Sequence, residues 1–557
     1  MSRRFALWLI VSIMSVAVAQ SAPVITGVVN AGSNLAPGLP GAGIAQGSIF
    51  TVYGSNFGTG TCNQAVAFPL PTQVCGVSLT VTVNGTSVAP LILGVYLGGQ
   101  INAILPSLTP TGNNGTITVS YSGQTSAPLP IQVVSATFGA FTPSQTGSGQ
   151  ASVTYNSDGS LNTIIHTLHP GDIGVLWGTG LGPIQGSDAV VPPVGNLGSP
   201  TVYVGNTALT LSSGLLYAGR SPQYPGLDQI DFTVPQGVQG CYVPIAVQTG
   251  GVVGNVGTIA VAAAGQNTCS DSVLGQDMIN KLASGGTVNF GYIRMESTLA
   301  TIAGIATSGS GSLGDDAFAT FSSFTPQTAY YAEYGVSSGY CVSTQYYEGA
   351  YTVLADLSLF NALLNAGSAL SIQGPLVAPG PFGNADPPYG YYDIFLSSTA
   401  AHYFYSGDNY SVSSTGGTNV GAFTASETTS IPSVSFNGIV NEQPVPRTSN
   451  LAVQWTFSNS NLQGVPVTIG GFSSSTDGSL YTSFQCTAPA GATSFSIPSW
   501  LLSTLPPSGT QTSGSFVYPL GFIWVGQYNT PKTFTATGLD RGVITDAFFQ
   551  GKNVSFQ

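Results

Sequence analysis

Charge is what this sequence most lacks. Its 557 residues include 9 Lys+Arg, 21 Asp+Glu and 3 His, so charged residues make up 5%, against about 25% in an ordinary soluble domain. With so few cations and a net charge of −12, nucleic acid is excluded as a partner, because phosphate neutralisation needs clustered Lys/Arg. Polybasic docking on anionic lipid fails for the same reason. Three histidines leave little material for metal sites or catalytic triads. Core-forming residues are not lacking: 43% are hydrophobic and 10% aromatic, enough for folded domains. Ser, Thr, Asn and the 73 Gly must then supply the polar surface. The length suits roughly three to five domains of about 100–200 residues each.

The N-terminus reads as a secretory leader over 1–19. Arg3 and Arg4 precede the apolar run FALWLIVSIMSVAV (5–18), and Ala17-Val18-Ala19 fits the small-residue cleavage rule. The run is shorter than the ~20 residues a membrane span needs, and no later run reaches that length. No Cys follows the cleavage site, which argues against a lipoprotein. Export directs the six cysteines towards disulfides. Cys62 and Cys75 flank a short loop, Cys241 and Cys269 bracket the last strands before a change of composition, and Cys341 and Cys486 remain by elimination. Each closed loop would stabilise by about 2–4 kcal/mol. No CxxC or Cys/His cluster suggests metal.

The strongest internal signal is repetition. GSIFTVYGSNFG (47–58) recurs as GDIGVLWGTGLG (171–182), with Tyr53 opposite Trp177. VTVNGT (81–86) aligns with VYVGNT (202–207), QINAILP (100–106) with QIDFTVP (229–235), and ITVSYSGQ (117–124) with IAVQTGGV (245–252). Subtracting start positions gives offsets of 124, 121, 129 and 128, so four blocks recur in one order at nearly one spacing. Each alternates with period two, predicting half-buried strands with Val81, Val83, Val202, Val204, Ile117 and Val119 inward. Asn84-Gly85 and Gly205-Asn206 are hairpin-turn dipeptides. The expectation is two antiparallel β-sandwich domains, 20–139 and 140–264. The Gly-rich blocks lack GxxxxGK[ST], so their glycines serve geometry, not phosphate. Gln100 and Gln229 occupy equivalent positions and suggest a side-chain-to-backbone clamp.

These phrases, with VVNAGSNLAPGLPGAGIAQGSIFTVYGSNFG (28–58) and HPGDIGVLWGTGLGP (169–183), resemble a paired domain of exported proteins from soil Acidobacteria, especially Solibacter. Its units are similar to the immunoglobulin-like, plexin and transcription-factor (IPT/TIG) fold. The resemblance covers about 24–264. It implies spacer or binding modules, and no catalytic residues to carry over. SFSIPSWLLSTLPPSG (494–509) and GGTNVGAFTAS (416–426) also resemble C-terminal β regions of such exported proteins, with no activity implied.

After Cys269 the repeat is lost, and 265–557 reads as a mainly β region, one body or two packed sub-sandwiches, with one or two short helices. DSVLGQDMINKLA (271–283) spaces Leu274, Met278 and Leu282 for a short amphipathic helix. VLADLSLFNALLNAG (353–367) fits either a helix or a buried strand. SALSIQG (368–374), YYDIFLSS (391–398), LAVQWTF (451–457), VPVTIGG (465–471) and FTATG (534–538) read as strands.

Chemical candidates are few. His166 and His169 form an HxxH pair, but Pro170 disfavours the helix that would present it, no HExxH glutamate is present, and loop histidines are the plainer reading; the third histidine is His402. No GxSxG elbow supports a triad. Asp315, Asp316, Glu333 and Glu348 are the nearest carboxylates for glycosidase-type chemistry, although Asp315-Asp316 reads more simply as a turn or helix start. Asp228 and Asp231 offer a weak calcium pair. The Tyr-rich segment 329–351 carries Tyr330, Tyr331, Tyr334, Tyr340, Tyr346, Tyr347 and Tyr351. Of these, all but Tyr340 form a candidate binding face for sugar or protein, with core packing as the competing role. No cofactor and no metal is expected. The overall reading is a secreted, non-enzymatic protein for adhesion, binding or envelope structure, whose partner is a polysaccharide or another surface protein. The alternative is a carbohydrate-binding or carbohydrate-processing protein acting through the Tyr-rich region.

Overall fold

The repeated sequence blocks become equivalent strands of two successive sandwiches. A computed structural model describes residues 21–63, 68–301, 312–331, 335–346, 363–375, 382–383, 390–397, 403–430, 433–458, 460–513 and 516–557; the leader, 1–19, lies outside them. In the first unit, one sheet runs Val24–Asn30, Ile49–Ser55, Gln100–Ile104, Leu91–Tyr96, Cys62–Asn63. The facing sheet runs Ile44–Ala45, Leu129–Val134, Gly112–Tyr121, Val77–Val83, Gln73–Val74. Phe50, Val52, Ile101 and Ala103 from the first sheet meet Val81, Val83, Ile117 and Val119 from the second in one core. The inward valines follow from strand alternation, and all of these side chains are buried.

The second unit repeats the plan. Ile173–Thr179 pairs with Asp228–Thr233, and Thr201–Val204 pairs with Gly240–Thr249. The register is conserved between the copies: Tyr53 sits opposite Gln100, and Trp177 opposite Gln229. Asn84-Gly85 and Gly205-Asn206 both turn hairpins. Asn84 (φ 50°) and Gly85 (φ 80°) take the left-handed backbone that such a turn requires. The strand Gly139–Ala140 pairs with Gly178 and Thr179 of the second unit, so the border between units falls before residue 139. Gln100 and Gln229 do not clamp backbone. Gln100 Nε2 donates to Asn102 Oδ1 (2.9 Å) and Gln229 Nε2 to Asp231 Oδ1 (2.8 Å), because residues i and i+2 of a strand share a face.

The two units are locked together by polar groups. Asp228 is fully buried and ion-paired with Arg220, itself 1% exposed. Its Oδ2 also accepts the N–H groups of Gly180 (2.6 Å) and Leu181 (2.7 Å), and Arg220 Nη2 donates to Gly182 O (2.9 Å). This fixes the loop 178–182 against the first unit, where Ile49 N donates to Thr179 Oγ1 (2.8 Å). Asn30 Nδ2 reaches Thr137 O and Thr179 O, both 3.3 Å away. Asp188 accepts from Ser107 N (2.6 Å) and Ser107 Oγ (2.8 Å). Tyr203 of the second unit stacks on Trp500 (5.1 Å, 15°), and Ala246, Val253 and Val256 join a core of the C-terminal region.

That region is organised by one long sheet. Its order is Cys341–Tyr346, Tyr481–Ala488, Val467–Ser474, Gly521–Tyr528, Arg541–Phe556, Val288–Thr301, Ser312–Phe324, Tyr391–Ser397. The first and last long strands pair in parallel, from Phe290 opposite Arg541 to Thr301 opposite Lys552. Two small sheets cover one face: Ala369–Gln373, Asn409–Ser414 and Phe423–Thr428 over one half, and Val434–Asn437, Leu451–Phe457 and Ser494–Ile497 over the other. The two sub-sandwiches therefore share a sheet. The helix spans Gln276–Ala283, starting after Leu274 because Gly275 holds φ 86°; Met278, Ile279 and Leu282 are buried. In FTATG only Phe534 is in a strand, which ends there. Of 353–367, residues 353–362 lie outside the described residues.

The cysteines pair as Cys62–Cys75, Cys241–Cys269 and Cys341–Cys486. The last joins the edge strand Cys341–Tyr346 to its neighbour, where Cys341 faces Cys486 in register.

Breaking a buried ion pair by removing one partner strands the other charge. Asp228→Ala is expected to cost about 3–5 kcal/mol in urea unfolding, because Arg220 and two backbone N–H groups lose their acceptor. Asp228→Asn, which retains an acceptor oxygen, is expected to cost less. An alanine variant as stable as the parent contradicts the lock.

Candidate functional site

Several of the chemical candidates are used for structure. His166 Nε2 lies 2.7 Å from Ser160 Oγ, with its ring against Tyr155 at 4.6 Å. His169 Nδ1 lies 3.2 Å from Asp172 Oδ2 and its Nε2 lies 2.8 Å from Gln266 O, so the two rings serve different neighbours. His402 lies outside the described residues. Asp228 and Asp231 do not form a calcium pair: they stand three residues apart on one strand, hence on opposite faces, and Asp228 belongs to Arg220. Burial raises the Asp228 carboxyl to about 6 despite the attraction of Arg220 and the N–H donors of Leu181 and Gly180. Among the described residues no group of three or more His, Cys, Asp or Glu side chains could hold a metal ion.

Asp315-Asp316 is neither a turn nor a helix start. Both residues lie inside the strand Ser312–Phe324 and point to opposite faces. Asp315, fully buried, accepts from Ser297 Oγ (2.6 Å), from Phe404 N (3.0 Å) and from Tyr403 N. It thereby ties the small sheet's approach loop to the long sheet. Asp316 is on the other face, directly across from Glu296. Glu333 and Glu348 lie outside the described residues.

Of the tyrosine candidates, Tyr334, Tyr347 and Tyr351 lie outside the described residues. Tyr330 and Tyr331 belong to a 3-10 turn, Pro326–Tyr331, and Tyr346 ends the edge strand, in register with Tyr481. Tyr340 packs on the second unit, where a Cβ on Gly205 would come within 2.6 Å of its ring. The described part of the segment thus spans two elements.

Sequence reasoning missed a larger aromatic surface. The face of the long sheet turned away from the small sheets carries Tyr481, Phe472, Phe522, Trp524, Phe549, Tyr528, Phe318 and Tyr391. Ring centroids follow one another across the strands: Tyr481 to Phe472 5.4 Å, Phe472 to Phe522 5.7 Å, Trp524 to Phe549 4.5 Å, Phe549 to Tyr528 5.2 Å and Phe318 to Tyr391 5.0 Å. Arg294 bridges the last two groups, with its guanidinium 5.9 Å from the Tyr528 ring and 5.4 Å from Phe318. Several rings lie down over a glycine of a neighbouring strand. A Cβ on Gly470 would come within 2.0 Å of Trp524, one on Gly551 within 2.1 Å of Phe522, and one on Gly526 within 2.2 Å of Phe549. Phe472, Phe522 and Trp524 remain partly exposed.

Charge gathers at one end of this face. Arg294 Nε lies 3.2 Å from Glu296 Oε2, and Asp316 stands beside them. Burial first, then the neighbouring Glu296 carboxylate, raises Asp316 to about 7, against the pull of Arg294. Burial pushes Tyr292 up to about 12 and Tyr528 upward as well. The ensemble suits stacking on a flat, apolar ligand face.

No known protein family matches the chain, and no curated protein does. Solved structures overlap it weakly. The Fcho1 mu homology domain of Danio rerio, bound to an Eps15 peptide, gives a TM-score of 0.16 at 7% identity, covering 49% of this chain and 97% of that one. Domains 4–9 of surface layer protein SbsC give 0.17 at 11% identity, covering 95% and 65%. Immunoglobulin domains 1–5 of Sidekick-1 give 0.12 at 9% identity, covering 92% and 78%. Overlaps of this size carry no functional argument.

Asp316 takes up its proton near pH 7 when folded but near 3.8 when unfolded, so its contribution to stability falls as pH rises between those values. Asp316→Asn is expected to remove this slope. The parent then gains stability relative to the variant on acidification from about pH 7 to about 5. Melting temperatures that run parallel across this window contradict the assignment.

Proposed function

We propose that the chain is an exported, non-catalytic binding or scaffold protein for adhesion or envelope structure. The observation that carries this reading is that all six cysteines are paired in three disulfides, a state favoured in oxidising compartments. Among the described residues no helix is long and apolar enough to cross a membrane. The proposed leader over 1–19 supplies the route out of the cytosol, and the resemblance of 24–264 to paired, IPT/TIG-like modules of exported acidobacterial proteins points the same way. The arrangement favours a rigid presenter. Asp188, Asn30 and Thr179 fasten the second unit to the first, and Tyr203, Cys241 and the helix Gln276–Ala283 fasten it to the C-terminal region. Among the described carboxylates, Asp315 is engaged by backbone N–H groups and Glu296 by Arg294.

Fractionation of bacteria expressing the full chain tests this. The protein is expected outside the cytoplasm, with its mass reduced by the leader and by two hydrogens for each disulfide. A full-length, reduced chain retained in the cytoplasm overturns the proposal.

A further inference from the structure

The aromatic face of the long sheet has no role in holding the two sub-sandwiches together. Their cores lie on the opposite face, built from Ile293, Ala319, Ile544 and Phe548 at one end and Ile469, Val525 and Val554 at the other. The outer aromatics have a different organisation. Tyr481, Phe472 and Phe522 stand on three adjacent strands with neighbouring planes within 28° of each other. Trp524 follows Phe522 on the same face, with its ring over Gly470. A larger residue at 470, 526 or 551 would displace a ring, so the glycines make room for Trp524, Phe549 and Phe522.

We infer that this face, centred on Phe472, Phe522 and Trp524, is a binding platform for a neutral polysaccharide. The inference rests on the reading of an exported, non-catalytic binding protein and names its ligand class. Three features select that class. A run of partly exposed rings across neighbouring strands offers apolar surface to the C–H faces of successive pyranose rings, whereas a protein anchor residue seeks a pocket. The same face carries hydroxyls and an amide beside the rings, at Thr344, Ser474, Ser483 and Gln485, which suit sugar hydroxyls. Among the described residues the platform's centre carries no charge, since Arg294, Glu296 and Asp316 lie at its far end, where Arg294 is ion-paired with Glu296. With a net charge of −12, the chain repels anionic polymers, so uronate-rich or phosphate-bearing polymers are disfavoured.

The test uses the full mature chain in affinity gels containing hydroxyethylcellulose, xyloglucan or soluble starch, and in pull-downs on microcrystalline cellulose and chitin. Polygalacturonate serves as the anionic control. Retention is expected on at least one neutral polymer and is expected to survive about 1 M salt, where charge interactions are screened beyond ~3 Å. Trp524→Ala and Phe472→Ala are each expected to weaken it about tenfold or more, the scale of a binding hot spot. Trp524→Phe is expected to retain binding while losing the polymer-induced change in tryptophan fluorescence. Circular dichroism of each variant, with its thiols blocked by disulfides, separates lost binding from lost folding; an unfolded alanine variant is replaced by the corresponding leucine. No retention on any neutral polymer, retention only on polygalacturonate, or retention unchanged in folded Trp524→Ala and Phe472→Ala overturns the inference. Export is read by fractionation, so a negative gel result leaves that reading standing and a cytoplasmic chain does not depend on the gel.

Discussion

The parallel pairing of Val288–Thr301 with Arg541–Phe556 is the constraint on which the C-terminal half depends. It joins segments some 250 residues apart in the chain, running from Phe290 opposite Arg541 to Thr301 opposite Lys552. Closing so long a loop costs conformational entropy that only extensive burial offsets. The offset comes from both faces of the pair. On one side Ile293, Met295, Ile544 and Phe548 enter a core roofed by a small sheet. On the other side Val288, Phe290 and Val543 are covered by the helix Gln276–Ala283. With those two strands joined, the sheet extends in both directions, and aromatics from strands distant in sequence become neighbours.

A chain with so little charge assigns its carboxylates to the backbone. Asp315 accepts from the amides of Tyr403 and Phe404, Asp271 from Val273 and Leu274, Asp188 from Ser107, and Asp228 from Gly180 and Leu181. A loop's buried N–H groups must find acceptors, and a carboxylate offers several lone pairs at once. Asn30 and Asn255 do similar work with amide side chains. This usage explains why acidic residues that look catalytic in sequence are buried in joints between elements. It also leaves the part of the outer face around Phe472, Phe522 and Trp524 to neutral aromatic and hydroxyl groups.

The repeated half was readable because each unit's information is local. Val81, Val83, Val202 and Val204 alternate cleanly, and Asn84-Gly85 marks its own turn. The long strands were harder. Val288–Thr301 buries residues on both faces, so the alternation that identifies a half-buried strand is blurred. Asp315-Asp316 suggested a turn for a related reason, since a strand needs a partner for each face before an inward carboxylate makes sense, and Tyr403 and Phe404 are far away in sequence. The aromatic face was invisible for want of register. Gly470 and Trp524, or Gly526 and Phe549, are unremarkable apart and meaningful only when opposed. The tyrosine-rich segment drew attention through composition, yet its described residues spread over a turn and an edge strand. Gln100 and Gln229 were correctly paired as equivalents, but alternation sends their amides to Asn102 and Asp231.

Hydrogen exchange in the native full chain tests the central pairing most directly, because strands that share a ladder can lose protection only together. The amides of Val288–Thr301 and Arg541–Phe556 are predicted to be among the slowest in the C-terminal region and to open in one cooperative event. Rapid exchange in either strand while its partner stays protected would contradict the account.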